Sequence, residues 1–416
     1  MLDNLIKIKV VWLCHFSNQT IQKHLPLVKP SSQFAPWITL LIEEFKKIEE
    51  VELYVIAPFR WLKQDTSYEM DGVQYYFVKT GMPFIHRDWP AVFKFDYLTN
   101  FIFTRRKIKR IVNNIQPDII NLHGIENPYY ATSIFDLKKY PVLITIQGLF
   151  TFSNSITNNF QNNVRLKTEQ KIIREFNNYG VRVRFLADYL QSKNSNVNFY
   201  WYKYPFKRNA NIIASTKTKT KDIVFFAKLS KDKGIEDLIK SIQIVKKSND
   251  LVSVIIIGTT NSQYLAFLKN IVSDLGLEKN IQFLGFASTQ DELHEWVSNA
   301  KICVLPTFND ILPGTIIESL FLKVPVIAYA ANGVVDLNSE SEIIRLVETG
   351  NITELAKQIS KLLEDDESRE NLSKNAYQYA IQNFNNEAEA KKMIEAYRKV
   401  MMDFKIHSSE ANKNRG

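Results

Sequence analysis

Residues 301–328 read KICVLPTFNDILPGTIIESLFLKVPVIA. An apolar run ends at Pro306, and a polar loop carries the chain to Pro313. Helical spacing then starts at Gly314 and Thr315, and a second β-branched run starts at Pro325. Strand, loop, helix and strand in that order form the repeating unit of a parallel sheet, because parallel strands need a crossover to return to the same edge.

The same alternation extends to both sides. Downstream of residue 222 the pattern predicts strands at 223–227, 252–258, 281–284, 302–305, 324–328 and 343–347, with helices at 235–247 and 263–275. These strands are short, continuously apolar and β-branched, as a sheet covered on both faces requires. Residues 352–404 read as successive helices, and HSSEANKNRG at the end reads as a frayed tail. Upstream, strands are predicted at 7–16, 51–58, 73–78, 118–122, 142–146, 181–186 and 197–204, with helices at 36–48 and 101–115. The polar stretch KRNANIIASTKTKTKD, from residue 207, has little to bury and reads as a linker. The expected fold class is α/β, with two Rossmann-like doubly wound parallel sheets. The expected boundaries are 1–206 for the first domain, 207–221 for the linker and 222–385 for the second domain. A helix at 386–404 and a tail at 405–416 follow. In such sheets ligands bind beyond the carboxyl ends of the strands, so functional residues belong in the loops after strands, facing a cleft.

The chain has 416 residues, 45% of them apolar and 23% charged, which is globular and excludes disorder as a description of the whole. The length suits two or three domains. Two cysteines, Cys14 and Cys303, rule out a disulfide framework and a multi-cysteine zinc module, and both sit in apolar runs as small core residues. No apolar run reaches the roughly 18 residues of a membrane span. A cytoplasmic location is the expectation. The net charge is +9, and all of the surplus lies in the first half, with its densest run at Arg105, Arg106, Lys107, Lys109 and Arg110. That run reads either as a solvated helix face or as a peripheral contact with an anionic membrane surface. No nucleic-acid signature accompanies it, so no nucleic-acid partner is expected.

Several residues carry chemistry. Gly314 and Thr315 at a helix start present backbone N–H groups and the positive end of a dipole, which suits phosphate. Glu318 lies one turn into that helix, within reach of ligand hydroxyls. Asp310 lies in the preceding loop. Asp310, seven residues, Glu318, Ser319 and then PVIA together resemble the signature of the glycosyltransferase family 4 group of GT-B glycosyltransferases. FFAKL at 225–229 followed by KDKG at 231–234 is similar to that family's basic segment, with Lys228 where arginine is usual. PDIINLHGIENP at 117–128 resembles its histidine-bearing strand and loop, and PVLITIQGL at 141–149 a second such segment in which Gln147 replaces histidine. The glycine-rich loop that relatives often place after the first strand is absent here. Cys14, His15, Phe16, Ser17 and Asn18 stand there instead, and the first glycine of the chain is Gly72.

The resemblance implies a retaining, metal-independent transfer of sugar from a nucleotide-diphosphate donor, without any cofactor, to a glycan acceptor. That acceptor would be lipid-linked, at the inner face of the plasma membrane, in bacterial-type surface polysaccharide synthesis. Lys228, Lys233, Gly314, Thr315 and Glu318 would bind the donor. Asp310 and His123 would serve the reacting sugar, and His15, Ser17, Asn18 and Gln147 are candidates to line the cleft. The final helix would cross back to the first domain. Two alternatives share these motifs: another GT-B activity such as a nucleotide-sugar epimerase, and a non-catalytic nucleotide-sugar-binding protein.

Overall fold

The computed structural model describes residues 7–27, 35–59, 61–80, 95–152, 159–206 and 219–413. The chain divides into two compact units. One comprises Met1–Arg182, Ala187–Pro205 and Asn386–Gly416, and the other Val183–Leu186 and Phe206–Asn385.

The first unit holds an eight-stranded sheet: β1 (Ile8–Leu13), β2 (Val51–Phe59), β3 (Thr66–Met70), β4 (Val73–Lys79), β5 (Ile119–His123), β6 (Val142–Thr145), β7 (Asn178–Val181) and β8 (Asn198–Trp201). The spatial order is β3-β4-β2-β1-β5-β6-β7-β8. All neighbours are parallel except β3 and β4, which form a hairpin. Its turn is Asp71-Gly72 with φ of 52° and 75°, the left-handed pair that a two-residue hairpin turn demands. β5 and β6 are buried at every position, as strands covered on both faces must be.

Two expectations are corrected here. The strand expected at 181–186 ends at Val181, and Arg184–Lys193 is a helix. Val183, Leu186, Ala187 and Leu190 are all buried, and that spacing is helical. The alternation of Val181 with Val183 disguised it. The terminal helix runs Asn386–Lys413, well past residue 404, through most of the stretch expected to fray. It belongs to the first unit, where Tyr397 Oη accepts from Trp12 Nε1 at 2.9 Å and from Asn121 Nδ2 at 2.8 Å. Most of the expected linker, residues 207–218, lies outside the described residues.

The second unit holds a six-stranded, all-parallel sheet: β9 (Lys221–Phe226), β10 (Val254–Ile257), β11 (Ile281–Gly285), β12 (Ala300–Leu305), β13 (Val326–Tyr329) and β14 (Arg345–Val347). Its order is β11-β10-β9-β12-β13-β14. The chain therefore builds outward from β9 in one direction, then from β12 in the other, and the crevice between those two strands is the topological switch point. Buried residues of β9, β10, β12 and β13 pack with the helices Ile235–Lys246, Gly314–Phe321 and Ile352–Glu364 in one core.

Candidate active site

The residues after β9 and β12 meet at the switch point of the second sheet. Lys231–Lys233 form a single turn of 3-10 helix, closed by Gly234 at φ 72°. A Cβ on Gly234 would sit 1.9 Å from the carbonyl oxygen of Pro306, so only glycine lets the two loops approach. Phe308 N donates to Asp232 O at 2.9 Å, which ties the loops again. Across this seam Lys233 Nζ donates to Asp310 Oδ2 at 2.5 Å, and Thr307 Oγ1 donates to the same oxygen at 2.9 Å. Both members of the ion pair are only partly exposed. Lys228 is exposed and pairs with no carboxylate among the described residues.

The helix Gly314–Phe321 begins beside this cluster, with Pro313 as an N-cap that makes no side-chain bond. Its first N–H groups therefore donate to no capping side chain. The Thr315 hydroxyl donates to Phe226 O at 2.8 Å, which fixes the helix start to the end of β9. Glu318 Oε2 accepts from Gln290 Nε2 at 3.1 Å and lies 3.6 Å from His294 Nε2. Lys233, Asp310, Gly314, Thr315 and Glu318 thus gather at the carboxyl end of one sheet, beside its two central strands, where they can hold an anion and several hydroxyls.

The other expected residues lie in the first unit. His123 ends β5, fully buried, with its ring edge-on to Trp12 at 4.8 Å between centroids and neither ring nitrogen hydrogen-bonded. Burial lowers its pKa to about 3, so the imidazole is neutral and can act only as a neutral donor or acceptor. Ser17 is buried and accepts from Gln22 Nε2 at 2.8 Å. Asn18 caps the next helix, accepting from Ile21 N at 2.8 Å. Those two side chains already have local tasks. His15 is exposed, and Gln147 O accepts from Arg182 at 2.7 Å.

Residues that sequence reasoning passed over stand beside them. Glu126 follows β5, and its carboxylate folds back over Gly124, where a Cβ would meet Oε1 and Oε2 at 2.7 Å. Burial pushes the Glu126 carboxyl up to about 7, with a smaller push from Glu169, against opposing bonds from its own N–H and Ile125 and the charge of Arg165. The Arg182 guanidinium lies 4.1 Å from the Tyr204 ring centroid. Glu126 Oε2, Arg182 Nε and Trp37 Nε1 are buried without a partner. His294, buried beneath Glu318, was likewise not singled out. The available signal was its position four residues after Gln290 on a helix facing the acidic motif.

The five-cation run lies on the helix Ile102–Ile115, whose buried face is Thr104, Ile108, Val112 and Ile115. Two of the five are already neutralised. Arg105 makes a bidentate pair with Asp136 at 2.8 and 2.7 Å, and Lys107 pairs with Asp65 at 2.9 Å. Arg106, Lys109 and Arg110 are exposed. Among the described residues, no helix is long and apolar enough to cross a membrane, and no three His, Cys, Asp or Glu side chains are grouped to hold a metal ion.

Residues 207–379 match the family described as Glycosyl transferases group 1. The chain is 28% identical over 156 residues to the Staphylococcus aureus capsular polysaccharide biosynthesis glycosyltransferase CapM, covering 37% of this chain and 39% of that protein. It is 26% identical over 234 residues to the Campylobacter jejuni N,N'-diacetylbacillosaminyl-diphospho-undecaprenol alpha-1,3-N-acetylgalactosaminyltransferase, covering 56% of each. The chain thus spans about half the length, or less, of these curated relatives. The structure of Anabaena Alr3699/HepE in complex with UDP and glucose superposes with a TM-score of 0.67 at 15% identity, over 94% of this chain and all of that one. At that identity the likeness is one of fold, the GT-B arrangement of two Rossmann-like parallel sheets.

Proposed function

We propose, from the match of residues 207–379 to the glycosyl transferases group 1 family, that the chain is a retaining, metal-independent glycosyltransferase. It moves a sugar from a nucleotide-diphosphate sugar to a glycan acceptor, lipid-linked, in synthesis of a bacterial-type surface polysaccharide. The observation that carries the reading is the cluster at the switch point: Lys233, Asp310 and Glu318 around the start of the Gly314–Phe321 helix.

As the glycosidic bond breaks, negative charge builds on the leaving diphosphate. Lys228, Lys233 and the backbone N–H groups at Gly314 and Thr315 stabilise it, a contribution that grows toward the transition state. The Thr315 hydroxyl does not take part, because it is engaged by Phe226 O. Glu318 accepts from ribose hydroxyls, and Asp310 from hydroxyls of the donor sugar. Fixed cations and a helix dipole neutralise the leaving group, which supports a reaction without a divalent metal. Retention follows from the family resemblance. His123, neutral at the end of β5, offers a hydrogen bond without proton transfer.

The acceptor class is supported by the two relatives, one named for capsular polysaccharide and the other for a diphospho-undecaprenol-linked substrate. Exposed Arg106, Lys109 and Arg110 support peripheral attachment to an anionic membrane surface. The fold neighbour bound to UDP makes UDP-sugars the first probes. A thermal-shift screen against UDP-, GDP- and ADP-sugars tests the donor, since a ligand at 100 times its Kd adds about 2.7 kcal/mol of stability. Transfer to a polyprenyl-diphosphate-linked sugar, with the product anomer read by NMR, tests the rest. No stabilisation by any nucleotide sugar would overturn the reading.

A further inference from the structure

Glu318 presents two oxygens, and the structure treats them differently. Oε2 accepts from Gln290 Nε2 at 3.1 Å. Oε1 faces Gly314, 4.0 Å from where a Cβ would stand on that residue. The same Gln290 Nε2 lies 3.0 Å from His294 Nε2. An amide nitrogen has two hydrogens, so Gln290 can serve Glu318 and His294 at once. That requires His294 Nε2 to be an acceptor, with the ring proton on Nδ1. The opposite amide orientation would turn the Gln290 carbonyl oxygen toward the Glu318 carboxylate, two acceptors facing each other. His294 is 1% exposed, and its Nδ1 is buried without a partner. A buried N–H left unpaired costs stability. The arrangement therefore sacrifices one donor to aim the other nitrogen at the Gln290–Glu318 bridge.

The support is rigid. Thr289 Oγ1 caps the helix Gln290–Ser298 by accepting from Glu292 N at 3.1 Å. Gln290 and His294, four residues apart, share the helix face turned to Glu318. Ser298 Oγ donates to His294 O at 2.7 Å.

We propose that Gln290 and His294 are positioning residues that hold Glu318 Oε2, so that Oε1 is committed to the ligand at the start of the Gly314–Phe321 helix. The proposal rests on the reading of Glu318 as the ribose-binding residue. A carboxylate anchored at one oxygen keeps its rotamer, and the second oxygen meets the ribose hydroxyls without first being ordered. Without the anchor Glu318 remains a carboxylate on the same helix but must be ordered by the ligand.

The test uses the full chain and two probes: whichever of UDP, GDP or ADP it binds, and the 2′,3′-dideoxy form of that nucleotide. The readout is the ratio of their dissociation constants by calorimetry. The wild type should favour the ribonucleotide, and Glu318→Gln should reduce that preference sharply. Gln290→Ala should weaken ribonucleotide binding about tenfold, the equivalent of one hydrogen bond, and leave the dideoxy form within about twofold. Gln290→Glu, which sets a like charge against Glu318, should collapse the ratio further. Gln290 is only partly buried, so its variants should keep the melting temperature even where His294→Gln does not fold. A Gln290→Ala chain that keeps the wild-type ratio, or that weakens both probes equally, overturns the positioning role. A wild type that ignores the ribose hydroxyls, or a Glu318→Gln variant that keeps the preference, overturns the Glu318 reading beneath it.

Discussion

Lys233 Nζ lies 2.5 Å from Asp310 Oδ2. The cation proposed for the donor diphosphate and the acid proposed for the donor sugar are therefore each other's partner, and on that proposal an incoming diphosphate shares Lys233 with Asp310. The Thr307 hydroxyl on the same Asp310 oxygen keeps the acid in place when the lysine swings toward phosphate.

Removing the charge of Asp310 should accordingly separate binding from turnover. In Asp310→Asn the lysine is no longer neutralised, so affinity for the nucleoside diphosphate should rise severalfold, by about 1 kcal/mol. Turnover should fall at least a hundredfold, because the lost contact strengthens in the transition state. Calorimetry and steady-state kinetics on one preparation measure both. A variant with full kcat would make Asp310 a loop-forming residue only.

Lys233→Ala should act in the opposite sense. It removes a charge-assisted contact to the diphosphate worth about 1.5–3 kcal/mol and leaves Asp310 unpaired at the same site. Lys228→Ala, at an exposed side chain without an ion-pair partner among the described residues, should lose less, and its loss should shrink with added salt. Donor affinity unchanged in both variants would remove the two lysines from the site.

Glu126 and His123 should give the first unit opposing pH dependences. The Glu126 pKa rises from 4.5 to about 7 on folding, so the folded state holds that proton more tightly. Its contribution is full below pH 4.5 and is lost as the pH climbs from there through about 7. The charged neighbours of Glu126 include Glu169, which raises its pKa, Arg165, which lowers it, and Arg182, which the carboxylate also meets electrostatically. His123 falls from 6.5 to about 3 and so removes stability as the pH drops below 6.5. Urea denaturation from pH 4 to 8.5 should show Glu126→Gln flattening the alkaline limb and raising stability at pH 8. An unchanged alkaline limb would mean that the carboxyl is ionised in the folded chain at no cost.

The seat of the terminal helix gives a prediction about stability alone. Tyr397 Oη accepts from Trp12 Nε1 and Asn121 Nδ2, both in the buried core of the first unit. Tyr397→Phe keeps the ring and leaves two buried donors unsatisfied, so it should cost about 1–3 kcal/mol for each. Equilibrium unfolding measures it, and a loss below about 0.5 kcal/mol would mean that water replaces the hydroxyl.

Most of the second sheet is legible because its strands are built on short apolar, β-branched runs, and period and length identify such strands without knowledge of their neighbours. The Asp310–Glu318 spacing and the Lys233-Gly234 pair likewise point to the carboxyl end of that sheet. Partnerships were not legible. Nothing local to Asp310 announces Lys233, 77 residues away, and nothing local to Glu318 announces Gln290. In the first unit, strand β3 went unread although Asp71-Gly72 between two alternating runs is a hairpin signal. The expected strand at 181–186 failed because two alternating valines outweighed a helical stripe that becomes decisive only at Leu190. Ser17 and Asn18 were read for their position after β1, whereas a capping asparagine is fixed by the helix that follows it.

Among the described residues the basic helix separates into cations with carboxylate partners and cations without, and that division bears on the proposed contact with a membrane. Arg105 and Lys107 are held by Asp136 and Asp65, so their charge is largely cancelled at any distance beyond the pair itself. Arg106, Lys109 and Arg110 project to solvent with no carboxylate partner among the described residues. Attraction to an anionic surface is about 1 kcal/mol per basic residue and is screened within about 8 Å at ~0.15 M salt. Three such residues give weak, salt-reversible binding. Co-sedimentation with phosphatidylglycerol-containing vesicles should therefore be seen at low salt and vanish near 0.5 M. Replacing Arg106, Lys109 and Arg110 with Gln should abolish it, with donor binding and melting temperature unchanged. Replacing Arg105 with Gln should instead lower stability, because Asp136 loses a bidentate partner that is mostly shielded from water, and it should leave most of the vesicle binding in place. If the three-residue variant sediments like the wild type, the attraction lies elsewhere in the basic half of the chain. If the wild type ignores anionic vesicles at low salt, the surplus charge serves solubility, and transfer should proceed equally well on a water-soluble acceptor.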